Sequence, residues 1–549
     1  MAVPAPGATW RWPGRSRARG AVLSVDAPGT VQVVDAGDDV RVVDDPVDRL
    51  EVVPDGRDLG RTLDLAVLGL ALVVGAALRL VALGAVGLNS DEAVYAGQSA
   101  SLAGNPVFVP NFPVVRAHPL LFQLLVSPWY ADGVHDLPGR YASAAFGVAT
   151  IALVFVLGRL LYGRRAGAIA ALLLAVMPYA VILSRQVLLD GPMTFFTTAS
   201  LVCLAMLART RNGRWLVAAG ACLGLASLTK ETAVVMTMAV FVFLSLVPTF
   251  WRPVRYVVGA VAAVGALTLA YPLATAIAGG GSKGQSYLTW QLARRPNHDL
   301  LFYVTVIPTS IGLLLLLTAA LGLLLLRRRS SWREVLLLAW IVVPFVFFEV
   351  WPVKGFSYLL VLAPAVVVLA ARALAALIDH EPRTMLTTVA GAATAVVVTL
   401  SLLVPSVQIV ASPDATSLAG AGGVPGGRET AQWLREYVPA GASIMTLGPS
   451  MANVIMYYSG HRSDGLSVSP NPLHRNPSYT AIVNPDSSLR KGQYQYVVWD
   501  AYSAARSPSF ATKQLALVRK YGGRVVHTEY ASFDGAAQQP VVVVYAVTP

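Results

Sequence analysis

The chain has 549 residues, of which 55% are apolar and only 13% charged, with a formal net charge of +12. A mean hydropathy of +0.59 excludes an ordinary soluble protein, in which roughly a quarter of residues are charged. The positive charge does not mark a nucleic-acid binder, because Arg and Lys gather in short loops between apolar stretches of about 20 residues, the length that crosses a bilayer. Cys203 and Cys222 both lie inside apolar stretches and provide neither a disulfide framework nor a CxxC metal site.

Residues 1–62 are polar, punctuated by Pro and Gly, and basic at Arg11, Arg15, Arg17 and Arg19. Period-two alternation at 31–33 and 40–43 predicts a little β structure there. The apolar run that follows starts too late and is too long for a cleavable signal, so the segment reads as a cytoplasmic tail. From 63 to 410 the pattern predicts eleven spans, at about 63–87, 139–161, 166–184, 191–208, 214–230, 232–250, 256–278, 302–326, 333–351, 357–377 and 385–406. Alternate loops are basic: Arg164-Arg165, 209–214, 252–255, Arg327-Arg328-Arg329 and Arg383 fall on one side. The positive-inside rule makes that side cytoplasmic in a plasma membrane. The outer side then receives 88–138, 185–190, 230–231, 279–301, 352–356 and the C-terminal region. A Gly/Ser/Pro-rich linker at 411–427 leads into 428–549, where helices at 429–437, 451–458 and near 510–521 alternate with strands at 443–447, 496–499, 524–529 and 541–547. This predicts an extracytoplasmic α/β domain with a largely parallel sheet.

The outer loops hold polar residues at the ends of spans. Asp91 and Glu92 follow the first span, Arg116 and His118 lie further along the same loop, and Arg140 opens the second span. Arg185 and Asp190 flank the turn after the third span, Lys230 and Glu231 fill a very short turn, 294–299 carries Arg, Asn, His and Asp, and Lys354 follows the ninth span. Charges at the edge of hydrocarbon are costly to place and usually functional. Each also has a plain reading: interfacial anchors for the cations, a local Lys230–Glu231 pair, a helix cap for Asp190. Gathered on one face, they suggest a site for an anionic, membrane-borne substrate.

Several of these segments resemble a known family. Asn89-Ser90-Asp91-Glu92-Ala93-Val94-Tyr95-Ala96 resembles the acidic first loop of the protein O-mannosyltransferase and aminoarabinose-transferase family, glycosyltransferases of the GT-C class. His118-Pro119-Leu120, Ser184-Arg185 with Asp190-Gly191-Pro192, Leu228-Thr229-Lys230-Glu231 and Lys354-Gly355-Phe356-Ser357-Tyr358 resemble its later segments, in order, between about 63 and 377. His118 replaces the usual Lys or Arg, and Glu231 stands where Gly is common.

The resemblance implies transfer of a sugar from a polyprenyl-phosphate donor to an acceptor on the outer face. Such a step needs a base at the acceptor hydroxyl and cations at the leaving phosphate. Asp91 is the expected base, with Glu92 orienting a cation or the sugar; the alternative exchanges the two roles. Lys230, Lys354, Arg185, Arg116 and His118 are the expected phosphate-binding residues; Asp190, Arg140 and Glu231 are expected to orient them or the sugar. Adjacent acids without a DxD spacing do not argue for a divalent metal, and the resemblance points to a reaction without cofactor. The acceptor, whether protein, polysaccharide or lipid, is not readable. A transporter or flippase of lipid-linked sugars is the alternative, but it should show mid-span charges or broken segments in repeated halves; Arg79 is the main such charge. A non-catalytic assembly protein that docks partners through its outer domain is a third reading.

Overall fold

The computed structural model describes residues 21–24, 32–35, 40–41, 58–114, 118–250, 253–277, 290, 293–294, 296–324, 331–379, 385–411, 424–532 and 537–548. The chain divides into two compact units, Met1–Arg61 and Thr62–Pro549. In the first, β1 (Ala21–Ser24), β2 (Gln32–Asp35) and β3 (Val40–Arg41) pair as an antiparallel sheet, close to where alternation predicted β structure.

The second unit is a helical membrane bundle joined to a mixed α/β region. In chain order come α1 (Asp58–Leu80), α2 (Ser90–Leu102), α3 (Leu121–Val126), α4 (Pro138–Tyr162), α5 (Arg164–Val176), α6 (Pro178–Ser184), α7 (Asp190–Thr210), α8 (Arg214–Thr229), α9 (Val234–Leu246) and α10 (Val254–Ile277). Helices at Phe302–Leu324, Trp332–Val350, Phe356–Ile378 and Met385–Ala411 complete the bundle. Each of the eleven expected spans contains helix, although the first ends at Leu80 and not near 87, and the third breaks at Met177. Among the described residues, seven helices are long and apolar enough to cross a membrane unaided, and α5 with α6 makes an eighth if the bent pair is one span. Segments Arg214–Thr229 and Glu231–Leu246 are shorter, and Trp332–Val350 carries Arg333, Glu334 and Glu349. Polytopic helical architecture is thus established.

Helices approach closely where glycine removes a side chain. A Cβ on Gly158 of α4 would lie 2.7 Å from the Cα of Gly167 on α5, and one on Gly220 of α8 would lie 2.6 Å from the Ala260 carbonyl of α10. Small residues at such crossings let backbones touch, the main source of attraction between helices in lipid.

The α5–α6 pair bends by 60° at Met177, because Pro178 has no N–H to continue the ladder. Carbonyls freed by the break need partners inside the bundle. Arg79 supplies them: its Nη1 donates to Ala175 O at 2.9 Å and its Nη2 to Leu174 O at 3.4 Å, while Ser406 Oγ donates to Val176 O at 2.7 Å. Arg79 is 1% exposed. It does not snorkel to the interface, as the sequence allowed; it fills the polar hole left by a proline.

In the C-terminal region β4 (Ile444–Thr446), β5 (Ser463–Gly465), β6 (Tyr496–Asp500), β7 (Arg524–Ala531) and β8 (Gln539–Ala546) form one sheet in the order β5-β4-β6-β8-β7. The expected largely parallel sheet is only half so: β4 pairs in parallel with β5 and β6, but β8 runs antiparallel to both β6 and β7. The connection between β7 and β8 is too short for a crossover helix, which leaves a hairpin as the available joint.

Replacing Arg79 by Leu should lower stability in detergent by roughly 1–3 kcal/mol, the cost of unpaired buried polar groups. A thermal unfolding curve checks this; an arginine that merely anchored the helix would be replaceable without loss.

Candidate active site

After α1 the chain unwinds, and Ala82 takes a positive φ of 50°. Every carbonyl from residue 81 to 87 accepts a hydrogen bond from an arginine side chain. Arg185 donates to Val81 O (2.8 Å) and Ala82 O (3.3 Å), and also to Leu78 O (2.9 Å). Arg140 donates to Leu83 O (2.8 Å), Val86 O (2.7 Å) and Gly87 O (3.1 Å). Arg428, from the C-terminal region, donates to Gly84 O (3.1 Å) and Ala85 O (3.2 Å). Arg185 and Arg140, expected at phosphate and sugar, are therefore engaged with backbone. A planar guanidinium with five donors suits that task.

This strap delivers the acidic pair. Asn89 caps α2: its Oδ1 accepts from the N–H groups of Asp91 and Glu92 at 3.0 Å, and Glu92 Oε2 accepts from Asn89 N at 3.0 Å. Glu92 is 1% exposed. Its Oε1 accepts from Arg140 Nε and Val187 N, both at 2.8 Å, and its Oε2 accepts from Arg140 Nη2 at 2.8 Å. Both oxygens are thus doubly bonded, the full capacity of a carboxylate, so Glu92 orients Arg140 and has no lone pair left for a sugar. Asp91, one residue earlier, is exposed at the helix N-terminus, where the helix dipole favours its anion.

A second cluster gathers three of the expected segments. Lys230 Nζ lies 2.8 Å from Asp190 Oδ1 and 4.7 Å from the centre of the Tyr358 ring. Asp190 therefore holds Lys230 and not Arg185, and Lys230 does not pair with its neighbour Glu231. Glu231 instead faces His118, whose Nδ1 lies 2.8 Å from Oε2, while Tyr95 of α2 meets the His118 ring edge-on at 6.0 Å. Arg116 lies outside the described residues.

Lys354 is 4% exposed. Asn297 fixes its backbone from both sides, accepting from Lys354 N and donating to Lys354 O, each at 2.8 Å. Tyr303 holds Gly355 in the same way, donating to its carbonyl at 2.8 Å and accepting from its amide at 3.1 Å. No carboxylate pairs with the Lys354 ammonium among the described residues. Nearby, burial and the cations Arg506 and Lys354 hold the His298 imidazole below its ordinary pKa, against the opposing pull of Asp299. No three His, Cys, Asp or Glu side chains converge as a metal-binding group among the described residues.

Residues 117–275 match the family model of dolichyl-phosphate-mannose-protein mannosyltransferases. Over 88% of this chain and 97% of its own, ArnT from Cupriavidus metallidurans has the same fold, with a TM-score of 0.62 at 16% identity. The chain shares the fold of ArnT. A second GT-C structure, ArnT bound to undecaprenyl phosphate, covers 89% of this chain and 98% of its own at a TM-score of 0.60 and 16% identity. The archaeal oligosaccharyltransferase AglB from Archaeoglobus fulgidus, solved with an inhibitory peptide and a dolichol-phosphate, covers 90% of this chain and 75% of its own at a TM-score of 0.55 and 15% identity. In sequence, YkcB of Bacillus subtilis (strain 168), named as a candidate mannosyltransferase, is 26% identical over 166 residues. That match spans 30% of this chain and 23% of the relative's length. The family model covers His118, Arg140, Arg185, Asp190, Lys230 and Glu231; the acidic pair and Lys354 lie outside it.

Sequence reading missed Arg428, Asp136, Tyr303, Asn453 and Tyr479. Arg428 pairs with Asp136 at 3.1 Å, Tyr458 OH donates to Asp136 at 2.6 Å, and Leu88 N donates to Tyr458 OH at 2.8 Å. These join positions over 290 apart in the chain, and no local pattern announces them. Asp500, which sits at a strand end, is a helix cap accepting from Ser503 N at 2.7 Å.

The two acids of the GT-C first loop should separate cleanly on substitution. Glu92→Gln leaves Arg140 buried without its counter-charge and should cost about 3–5 kcal/mol. Asp91→Asn should stay within about 0.5 kcal/mol of the wild type. Chemical unfolding of both proteins in the same detergent tests the contrast.

Proposed function

We propose that the protein is a plasma-membrane glycosyltransferase that moves a sugar from a polyprenyl-phosphate donor to a hydroxyl-bearing acceptor on the outer face. The observation that carries this reading is a division of charge at one end of the bundle. Glu92, Asp190, Arg140 and Lys230 are consumed in buried pairs, whereas Asp91 stands exposed and Lys354 keeps a buried ammonium with no carboxylate partner among the described residues. A buried cation is costly without a counter-charge, and a phosphate headgroup would supply one. The ArnT structure with undecaprenyl phosphate and the AglB structure with dolichol-phosphate support the same donor class.

In this mechanism Asp91 accepts the acceptor hydroxyl's proton as its oxygen attacks the anomeric carbon. The bond from that carbon to the phosphate oxygen breaks in the same step, and polyprenyl phosphate leaves. A single displacement inverts the anomeric centre. Lys354 stabilises charge developing on the leaving phosphate, and preorganised cations do this without reorganising during the reaction. Lys230, held by Asp190 and set against the Tyr358 ring, is the second cation assigned to that phosphate in this reading. In this reading Arg116 and His118 also contact the donor phosphate. The step as written uses no metal. In this reading the N-terminus is cytoplasmic and the α/β region lies outside, which the basic loops on one side support.

The transporter reading gains a broken helix at Met177 but loses its use, since the freed carbonyls are filled by Arg79 and Ser406 and offer nothing to a substrate.

With labelled polyprenyl-phosphate sugar in proteoliposomes, Asp91→Asn should slow loss of label from the lipid by at least about 100-fold, the usual worth of a general base. Lys354→Ala should weaken donor binding by roughly tenfold or more. Unchanged turnover in Asp91→Asn would remove that residue from the chemistry. Labelled lipid that crosses the bilayer intact would establish a flippase instead.

A further inference from the structure

Beside Asp91 stands a wall that the mechanism above leaves unused. Asn453 Nδ2 donates to Ser90 Oγ at 3.0 Å and to the Tyr479 hydroxyl at 3.1 Å. Ser90 precedes Asp91 directly, so Tyr479 is two hydrogen bonds from the residue next to the proposed base. Asn453 is fully buried on the Pro449–Ser459 helix. Tyr479 belongs to the stretch 466–484, which runs from β5 to the Pro485–Arg490 helix with one short 3-10 turn, Pro472–His474. Irregular segments of this length inside a compact region are usually functional.

The stretch contains Ser467, Ser469, Asn471, Asn476, Ser478, Tyr479 and Thr480, two basic residues, and no acid. Its shape is fixed from within: Asn471 Oδ1 accepts from Leu473 N at 3.0 Å, and Asn476 Oδ1 accepts from Ser478 N at 2.9 Å. The Nδ2 donors of both have no protein partner among the described residues. Tyr contributes a rigid ring and Ser and Asn contribute adaptable hydrogen bonds, a mixture that serves recognition surfaces well. Such a surface suits a polyhydroxylated chain. A peptide is more often taken by adding a strand to an exposed sheet edge, but the edge strand beside this loop, Ser463–Gly465, is buried along its whole length.

We propose that 466–484, acting through Tyr479, is the acceptor-binding wall of the site, and that the acceptor is a glycan chain. The proposal rests on the reading of Asp91 as the base that meets an acceptor hydroxyl.

Two arms test it on the full chain in nanodiscs. In the first, protease-treated polysaccharide from the cell envelope of the producing organism is titrated against the wild type, Tyr479→Ala and Tyr479→Phe. Saturable binding to the wild type, about tenfold weaker for Tyr479→Ala and intermediate for Tyr479→Phe, is expected. Affinity for undecaprenyl phosphate should be equal in all three. Glycan binding that is absent, or indifferent to both variants, overturns the proposal, as does a parallel loss of undecaprenyl phosphate affinity. In the second arm, labelled donor is turned over with untreated envelope. Label in a protease-resistant, periodate-sensitive fraction is expected, and label released by protease would make the acceptor a peptide. Because the binding arm needs no turnover, glycan binding through Tyr479 in a protein that never releases sugar would defeat the transferase reading alone.

Discussion

The structure depends on a strip of backbone that cannot satisfy itself. Between α1 and α2 the chain leaves helical geometry at the edge of the bundle, and of the carbonyls from residue 81 to 87 only that of Ala82 accepts from a backbone amide of the described residues, Ala85 N at 3.2 Å. Unpaired carbonyls there are costly. Arg140, Arg185 and Arg428 come from three distant parts of the sequence to fill them. The strap in turn fixes where α2 begins, and α2 begins with the acidic pair. Position at Asp91 is thus bought with three guanidinium groups that never need to touch a substrate.

The same economy of charge runs through the site. Buried pairs such as Glu92–Arg140 and Asp190–Lys230 contribute geometry more than net stability, because desolvation offsets much of their attraction. Their value is that they hold neighbouring elements in one register. Val187 is tied to α2 through Glu92, and the Lys354–Tyr358 segment is brought to α8 through Lys230.

Much of this was legible in sequence. Spans were readable because a bilayer demands uninterrupted apolar helix, and the ends carrying charges followed from counting them. The acidic pair and the ordered segments around Asp190, Lys230 and Lys354 pointed to one face. The partners did not follow, since chemistry constrains residue types and not which opposite charge lies nearest in space. Lys230 reaches Asp190 and leaves adjacent Glu231 to His118. Arg140 and Arg185 were misread for a further reason: their targets are main-chain carbonyls, which every residue possesses and no sequence pattern marks. Likewise β8 carries an apolar run that fits a parallel or an antiparallel neighbour equally, and only the short turn before it decides.

The grip of Arg428 on Gly84 joins positions 344 apart, and this has a consequence for biogenesis. While the ribosome is still making the bundle, the strap exists without its last donors, and Leu88 without the hydroxyl of Tyr458. The acidic turn acquires its final placement only when the closing part of the chain has emerged and folded against it. A chain truncated before Arg428 holds the acids but not their setting.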